Sequence, residues 1–212
     1  MKEIGENFSA SGPEAHGFSS LDNVFWNLNQ EDIYKIILDK GEGKISKDGA
    51  MVVKTGIHTG RSAQDKFVVK ESKNKDSIWW DNAKEMSEEN FDLLYKDMIE
   101  FSENKDLFVQ DLFGGADLEY RLPTRVYTEY AWHSLFIQNL LITVKEEEKN
   151  NFDPEFVIID MPSFKANPQR HGSRSETIIA VNFDKKIVLI AGTSYAGEIK
   201  KSVFTMLNFL LP

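Results

Sequence analysis

The sequence predicts an α/β (mixed α+β) domain in which helices flank a mixed β-sheet. Three observations lead there. Short apolar runs rich in β-branched and aromatic residues recur between clusters of Gly, Asp and Asn, as strands do between turns. Between those runs lie segments whose apolar residues return every three or four positions, the spacing of one helix face. Near the end, a strand candidate passes through a glycine-bearing loop directly into a helical segment. This mixture of helices and mostly hairpin-linked strands favours helices layered on a mixed sheet.

The elements follow in order. Residues 1–20 are rich in Gly, Ser, Glu and Asn and are expected to be a flexible N-terminal segment, loop or partly disordered, ahead of a domain over residues 21–212. Asn29 caps a helix over Gln30 to Lys40, with Ile33, Ile36 and Ile37 on one face and Gly41 as its stop. Lys47-Asp48-Gly49 is a turn between short strands, the second being Met51 to Lys54. Phe67 to Val69 and Ile78 to Trp80 are further strands, the tryptophan pair reading better as a buried strand pair than as a stacking platform. Ser87 caps a helix through Phe91, Leu94, Tyr95 and Met98. Leu107 to Gln110 is a buried strand that leads to a turn at Gly114-Gly115, and Arg125 to Thr128 is extended. Glu129 to Ile142 is helical, with Ala131, Leu135, Phe136 and Leu140 as its stripe, and Glu146 to Asn151 is a solvated connection. Phe156 to Ile159 is a strand. Thr177 to Phe183 and Ile187 to Ala191 form a hairpin about Asp184-Lys185-Lys186. The last helix carries Ile199, Val203, Met206, Leu207 and Leu210 and runs almost to Pro212.

Composition narrows the function. The chain has 212 residues, 41% hydrophobic and 28% charged, enough for a real core. Its net charge of -9 argues against a nucleic-acid partner, which needs a basic face. It does not argue against small anions, which a few local cations can hold. With no cysteine, disulfides, thiolate nucleophiles and zinc-thiolate sites are excluded. Met1 to Phe8 is polar, so no secretion signal or membrane span is expected and a cytoplasmic location is the default. Five of the 25 basic residues are arginine (Arg61, Arg121, Arg125, Arg170 and Arg174), which ranks those positions as candidates for planar, two-pronged hydrogen bonding.

Several stretches hold residues suited to chemistry. Tyr195-Ala196-Gly197-Glu198-Ile199-Lys200-Lys201 puts two lysines at the start of a helix, where the dipole disfavours cations unless an anion lies in the loop. An exposed helix start with solvated lysines fits the same spacing. Thr59 to Lys66 offers Gly60 for close approach, Arg61 for a carboxylate or phosphate and Ser62 as a hydroxyl donor, and a surface turn fits it too. Gly41 to Ser46 fails as a phosphate loop because Ile45 follows the lysine. His16, His58, His133 and His171 have no metal-ligand spacing. His133 reads as a packed helix residue, and His171, in a loop with Arg170 and Arg174, as structural.

These stretches together resemble one family, the ATP-dependent phosphoenolpyruvate carboxykinases. Thr55 to Lys66 (TGIHTGRSAQDK) is similar to that family's arginine-bearing substrate loop. Leu107 to Asp117 (LFVQDLFGGAD), Tyr120 to Phe136 (YRLPTRVYTEYAWHSLF), Arg170 to Asn182 (RHGSRSETIIAVN) and Gly192 to Pro212 resemble family stretches in the family's order. The resemblance covers about residues 20 to 212 and implies a substrate-binding N-terminal domain of that type. The family, lyases of gluconeogenesis, converts oxaloacetate and ATP to phosphoenolpyruvate, ADP and carbon dioxide with a divalent metal, Mn2+ or Mg2+. By resemblance, Arg61 would hold the oxaloacetate or phosphoenolpyruvate carboxylate and Tyr195 would lie against substrate. Lys201 would ligate the metal and contact the γ-phosphate, and Lys200 would add charge beside it. Ala63-Gln64 departs from the Pro-Lys usual after the Arg-Ser of the loop. The family's phosphate loop, metal-binding His and Asp and adenine site lie after Pro212. The resemblance therefore implies a chain without its C-terminal nucleotide-binding domain, inactive alone and holding neither metal nor ATP stably. The alternative is a small-anion binding or regulatory module that keeps the domain without the chemistry.

Overall fold

The computed structural model describes residues 1–211. Strand β1 (Lys2–Gly5) and β2 (Asn23–Trp26) pair in parallel at one edge of the main sheet. Helix α1 (Gln30–Asp39) starts where the Asn29 side chain accepts the Asp32 N–H at 3.0 Å, buries Ile33 and Ile37, and ends ahead of Gly41 at φ +69°. Strands β3 (Gly43–Ile45) and β4 (Met51–Val53) form a separate hairpin. Strands β5 (Lys66–Val69) and β6 (Lys84–Met86) are parallel neighbours at the far edge. Helix α2 (Glu88–Phe101) is capped by Ser87 and buries Phe91, Leu94 and Met98.

The long antiparallel pair β7 (Leu107–Gly114) and β8 (Leu122–Thr128) runs through the sheet, followed by α3 (Ala131–Gln138) and the short β9 (Ile142–Thr143). Strand β10 (Phe156–Met161) precedes a single helical turn, α4 (Pro168–His171). Strands β11 (Ile178–Asn182) and β12 (Ile187–Ala191) form the expected hairpin, and α5 (Gly197–Leu210) closes the fold. Among the described residues the main sheet has ten strands in the order β1-β2-β7-β8-β10-β12-β11-β5-β6. Strand β9 joins β7 at Leu112 and Phe113, beyond the Leu107–Val109 stretch that β2 covers. Parallel pairs outnumber hairpins, so the sheet is mixed but less hairpin-linked than the sequence pattern implies.

Both faces of the sheet are covered, which is why its central strands read as unbroken apolar runs. Val157, Ile159 and Met161 of β10 face a core shared with α2, while Phe156 and Ile158 face a second core against Ile199, Val203 and Met206 of α5. A third cluster joins Ile33 and Ile37 of α1 to Trp132 and Leu135 of α3.

Three expectations are corrected. Residues 1–20 carry β1 and a 3-10 turn, and Phe18 is fully buried. The segment is needed because Arg125, wholly buried, forks onto Asp111 (2.7 and 2.9 Å) and gives two more hydrogens to the Ser11 carbonyl (2.7 Å) and Asn7 Oδ1 (2.8 Å). Ile78 to Trp80 is not a strand. Trp79 is 72% exposed and the Trp80 indole donates to the Lys75 carbonyl, while the strand lies at β6, an edge strand too polar to stand out. Helix α3 stops at Gln138 rather than Ile142, because Ile142 pairs with β7 and so leaves the helix. Pro212, the last residue of the predicted domain, lies outside the described residues.

Candidate functional site

The loop between β12 and α5 is shaped by two glycines. Gly192 sits at φ +72°, where a Cβ would come 2.2 Å from the Glu176 carbonyl oxygen. Gly197 lets the Tyr195 ring lie across the start of α5, since a Cβ there would be 2.5 Å from it. Ala196, at the cap position, has no side-chain oxygen, so no side chain caps α5. Its first turns therefore present the positive end of the helix together with Lys200, exposed, and Lys201, half-buried.

Arg61 reaches the same place from the loop before β5. Arg121, Arg125, Arg170 and Arg174 each pair with a carboxylate, on Glu148, Asp111, Asp97 and Asp65 respectively. Among the described residues Arg61 has no such partner, and neither Lys200 nor Lys201 forms an ion pair. Arg61, Tyr195, Lys200 and Lys201 line one cleft of about 580 Å³, with Phe136, Leu140 and Phe204 as its apolar wall. The Lys201 ammonium lies 4.5 Å from the Phe204 ring centre, a cation–π contact in place of a carboxylate. All four residues selected in the sequence are thus brought together.

Two residues behind the cleft were not singled out in the sequence. Lys66 is half-buried and donates to Thr205 Oγ1 at 2.7 Å. Burial, with Lys201 and Arg61 close by, holds its ammonium below the ordinary lysine range. Glu198 is buried in the first turn of α5, and burial pushes its carboxyl upward while the Ser62 N–H, Arg61 and Lys66 oppose that rise. Both lie inside the two motifs, Thr59 to Lys66 and Tyr195 to Lys201. Neither side chain looks unusual in sequence until the two loops meet.

The loop rests on a buried pair. His133 Nδ1 bonds Asp160, and His133 Nε2 bonds the Ser194 carbonyl at 3.2 Å. A carbonyl only accepts, so Nε2 carries a hydrogen. Burial raises the Asp160 carboxyl, and His133 opposes that rise. His133 is therefore the packed helix residue expected. The 167–174 loop is structural as well: Arg170 and His171 converge on Asp97, and Arg174 forks onto Asp65 (3.0 and 3.0 Å). A second cleft, about 400 Å³ between α1, β4 and α3, is lined by Tyr34, Met51, Trp132 and other uncharged residues and offers nothing to hold an anion.

Three cations that pair with no carboxylate among the described residues, gathered at the positive end of a helix, suit a small polyanion bearing carboxylate or phosphate. The donor set for a metal is thinner. Among the described residues no three His, Asp or Glu side chains are grouped to hold an ion, and Lys201 contributes one amine.

A sequence model of the family described as phosphoenolpyruvate carboxykinase matches residues 22–212. The chain is 57% identical to the phosphoenolpyruvate carboxykinase (ATP) of Parvibaculum lavamentivorans, 54% to that of Methylobacterium sp. strain 4-46 and 53% to that of Brucella suis biovar 1, each over 212 residues. Each alignment covers all of this chain and 40% of the relative, so the chain spans about 40% of the length of the curated relatives it matches.

Proposed function

The chain belongs to the phosphoenolpyruvate carboxykinase family, and from that premise we propose that it is the substrate-binding domain, residues 21–212, of an ATP-dependent enzyme. The whole enzyme is a cytoplasmic lyase of gluconeogenesis that converts oxaloacetate and ATP to phosphoenolpyruvate, ADP and carbon dioxide. The observation that carries this reading is the cleft in which Arg61, Tyr195, Lys200 and Lys201 converge.

The chemistry needs positive charge where negative charge collects. Decarboxylation of oxaloacetate leaves an enolate, whose oxygen takes the γ-phosphoryl group of ATP. The planar guanidinium of Arg61 holds the substrate carboxylate by two hydrogen bonds. The Tyr195 ring, held across the start of α5, packs against the substrate and limits its orientation. Lys200 and Lys201, at the positive end of α5, stabilise the enolate and the phosphoryl oxygens. A divalent metal, Mn2+ or Mg2+, acts as a Lewis acid in the whole enzyme. Lys201, as the neutral amine, would be the one ligand this chain offers it, which is too few for a coordination shell, so the remaining ligands and the ATP site belong to the part of the relatives that this chain does not span. The chain alone binds substrate without turning it over.

The test is calorimetric titration of the chain with phosphoenolpyruvate. Wild type is expected to bind, and Arg61→Ala to bind at least about tenfold more weakly, the loss of one charge-assisted contact. No heat on wild type, or the same affinity in Arg61→Ala, would defeat the proposal.

A further inference from the structure

Arg61 lies in a segment with little to hold it. Ile57 is 89% exposed, and nothing packs within 4 Å of where a Cβ would sit on Gly56 or Gly60. Yet the guanidinium must stay in register with two lysines on another element, 139 and 140 positions along the chain by subtraction of their numbers from 61. Two ties end on its neighbour, Ser62. The Ser62 backbone N–H donates to Glu198 Oε1 at 2.6 Å, 136 residues away in the first turn of α5. The Ser62 hydroxyl is 3.2 Å from His58 Nδ1, and His58 Nε2 is 3.1 Å from Thr177 Oγ1. Thr177 gives its own hydrogen to the Gly192 carbonyl at 2.8 Å, so His58 Nε2 is the donor to Thr177 and Nδ1 accepts from Ser62.

Glu198 is an odd neighbour for an anion site. By charge alone, a carboxylate this close to Arg61 and Lys66 weakens the field that an anion feels. Its burial is unfavourable as well. What it does provide is a charge-assisted acceptor that joins the Arg61 loop to the helix that bears the lysines.

We propose that Glu198 is a positioning residue for the cleft: by accepting the Ser62 N–H it fixes Arg61 against Lys200 and Lys201, with His58 as the second tie. This rests on the reading of the cleft as an anion site. Charge and positioning predict opposite signs, which makes the proposal easy to test. If Glu198 acted only as a charge, Glu198→Ala would tighten anion binding. As a positioning group, its loss loosens binding.

The experiment uses the 212-residue chain, phosphoenolpyruvate calorimetry and hydrogen exchange of the peptide spanning residues 55–66. Glu198→Ala is expected to bind about tenfold more weakly, the scale of one charge-assisted hydrogen bond, and to exchange faster at Ser62. Glu198→Gln keeps the acceptor without the charge and is expected to recover both the affinity and the protection. If Glu198→Ala does not fold, Ser62→Pro removes the N–H from the loop side and is expected to weaken binding to a similar extent and to speed exchange at the remaining amides of residues 55–66. Binding in Glu198→Ala as tight as in wild type, or unchanged exchange at Ser62, overturns the proposal. Wild type that binds no phosphoenolpyruvate overturns the anion-site reading instead, and the exchange measurement still decides whether Glu198 holds the loop.

Discussion

Arg125 shows how much one side chain can organise. Its guanidinium is fully buried, forks onto Asp111, satisfies Ser11 and Asn7, and lies 4.8 Å from the Trp26 ring centre. Arg125→Met would leave the Asp111 carboxylate buried without its partner, and a loss of about 3–5 kcal/mol in chemical denaturation is expected. Arg125→Lys should recover only part of it, because an ammonium cannot reproduce the fork. Asp97 is the residue through which acid should act. Its bonds to Arg170, then to His171, draw its carboxyl down to about 2 from the ordinary 3.8. A depressed folded-state value means that stability is fully present above about pH 3.8 and is lost as the pH falls through about 2. Asp97→Asn is expected to melt below wild type at pH 7, with the gap closing as the buffer approaches pH 2. A gap that persists in acid would show that the ion pair is not its source.

At the scale of the element, the loop before α5 depends on backbone that only glycine adopts without strain. Gly192 combines a φ of +72° with a carbonyl oxygen 2.2 Å from any Cβ, and that oxygen belongs to backbone that cannot step aside. Gly192→Ala should lower stability by about 2 kcal/mol or more, read by denaturant titration. Gly197 differs, because its near contact is the movable Tyr195 ring at 2.5 Å. Alanine also favours the helix, so Gly197→Ala is expected to melt at or slightly above the wild-type temperature while binding phosphoenolpyruvate more weakly. Parallel losses in both assays would mean that the ring cannot move.

The whole molecule carries a net charge of -9, yet its cleft gathers Arg61, Lys200 and Lys201. An anion approaching from afar meets repulsion, and attraction is local. Because the three cations lie on an open cleft, salt should screen them. Affinity for phosphoenolpyruvate is expected to fall severalfold when sodium chloride is raised from about 0.05 to about 0.5 M, as the Debye length shrinks to a few ångströms. Affinity independent of salt would place the bound anion deeper than this cleft.

The strongest local signals were sufficient by themselves. The Asn29 and Ser87 caps, the isoleucine stripe of α1, the Asp184–Lys186 turn and the strand-loop-helix at Gly192 all depend on contacts within a few residues, which the sequence order contains. Arg61, Tyr195, Lys200 and Lys201 needed more, because a surface turn and an exposed helix start fit their motifs too and likeness to a family singled them out. Tertiary structure alone decided what depends on distant partners. Strand β6 is polar and visible only beside β5, β9 takes Ile142 from a helical pattern to complete β7, and the first twenty residues are anchored because a buried guanidinium needs their acceptors. The Glu198–Ser62 bond spans 136 residues, and no local pattern announces it. Hydrogen-bond partners and burial are properties of the folded neighbourhood, so a residue whose role is to join two loops is indistinguishable from its neighbours until those loops meet.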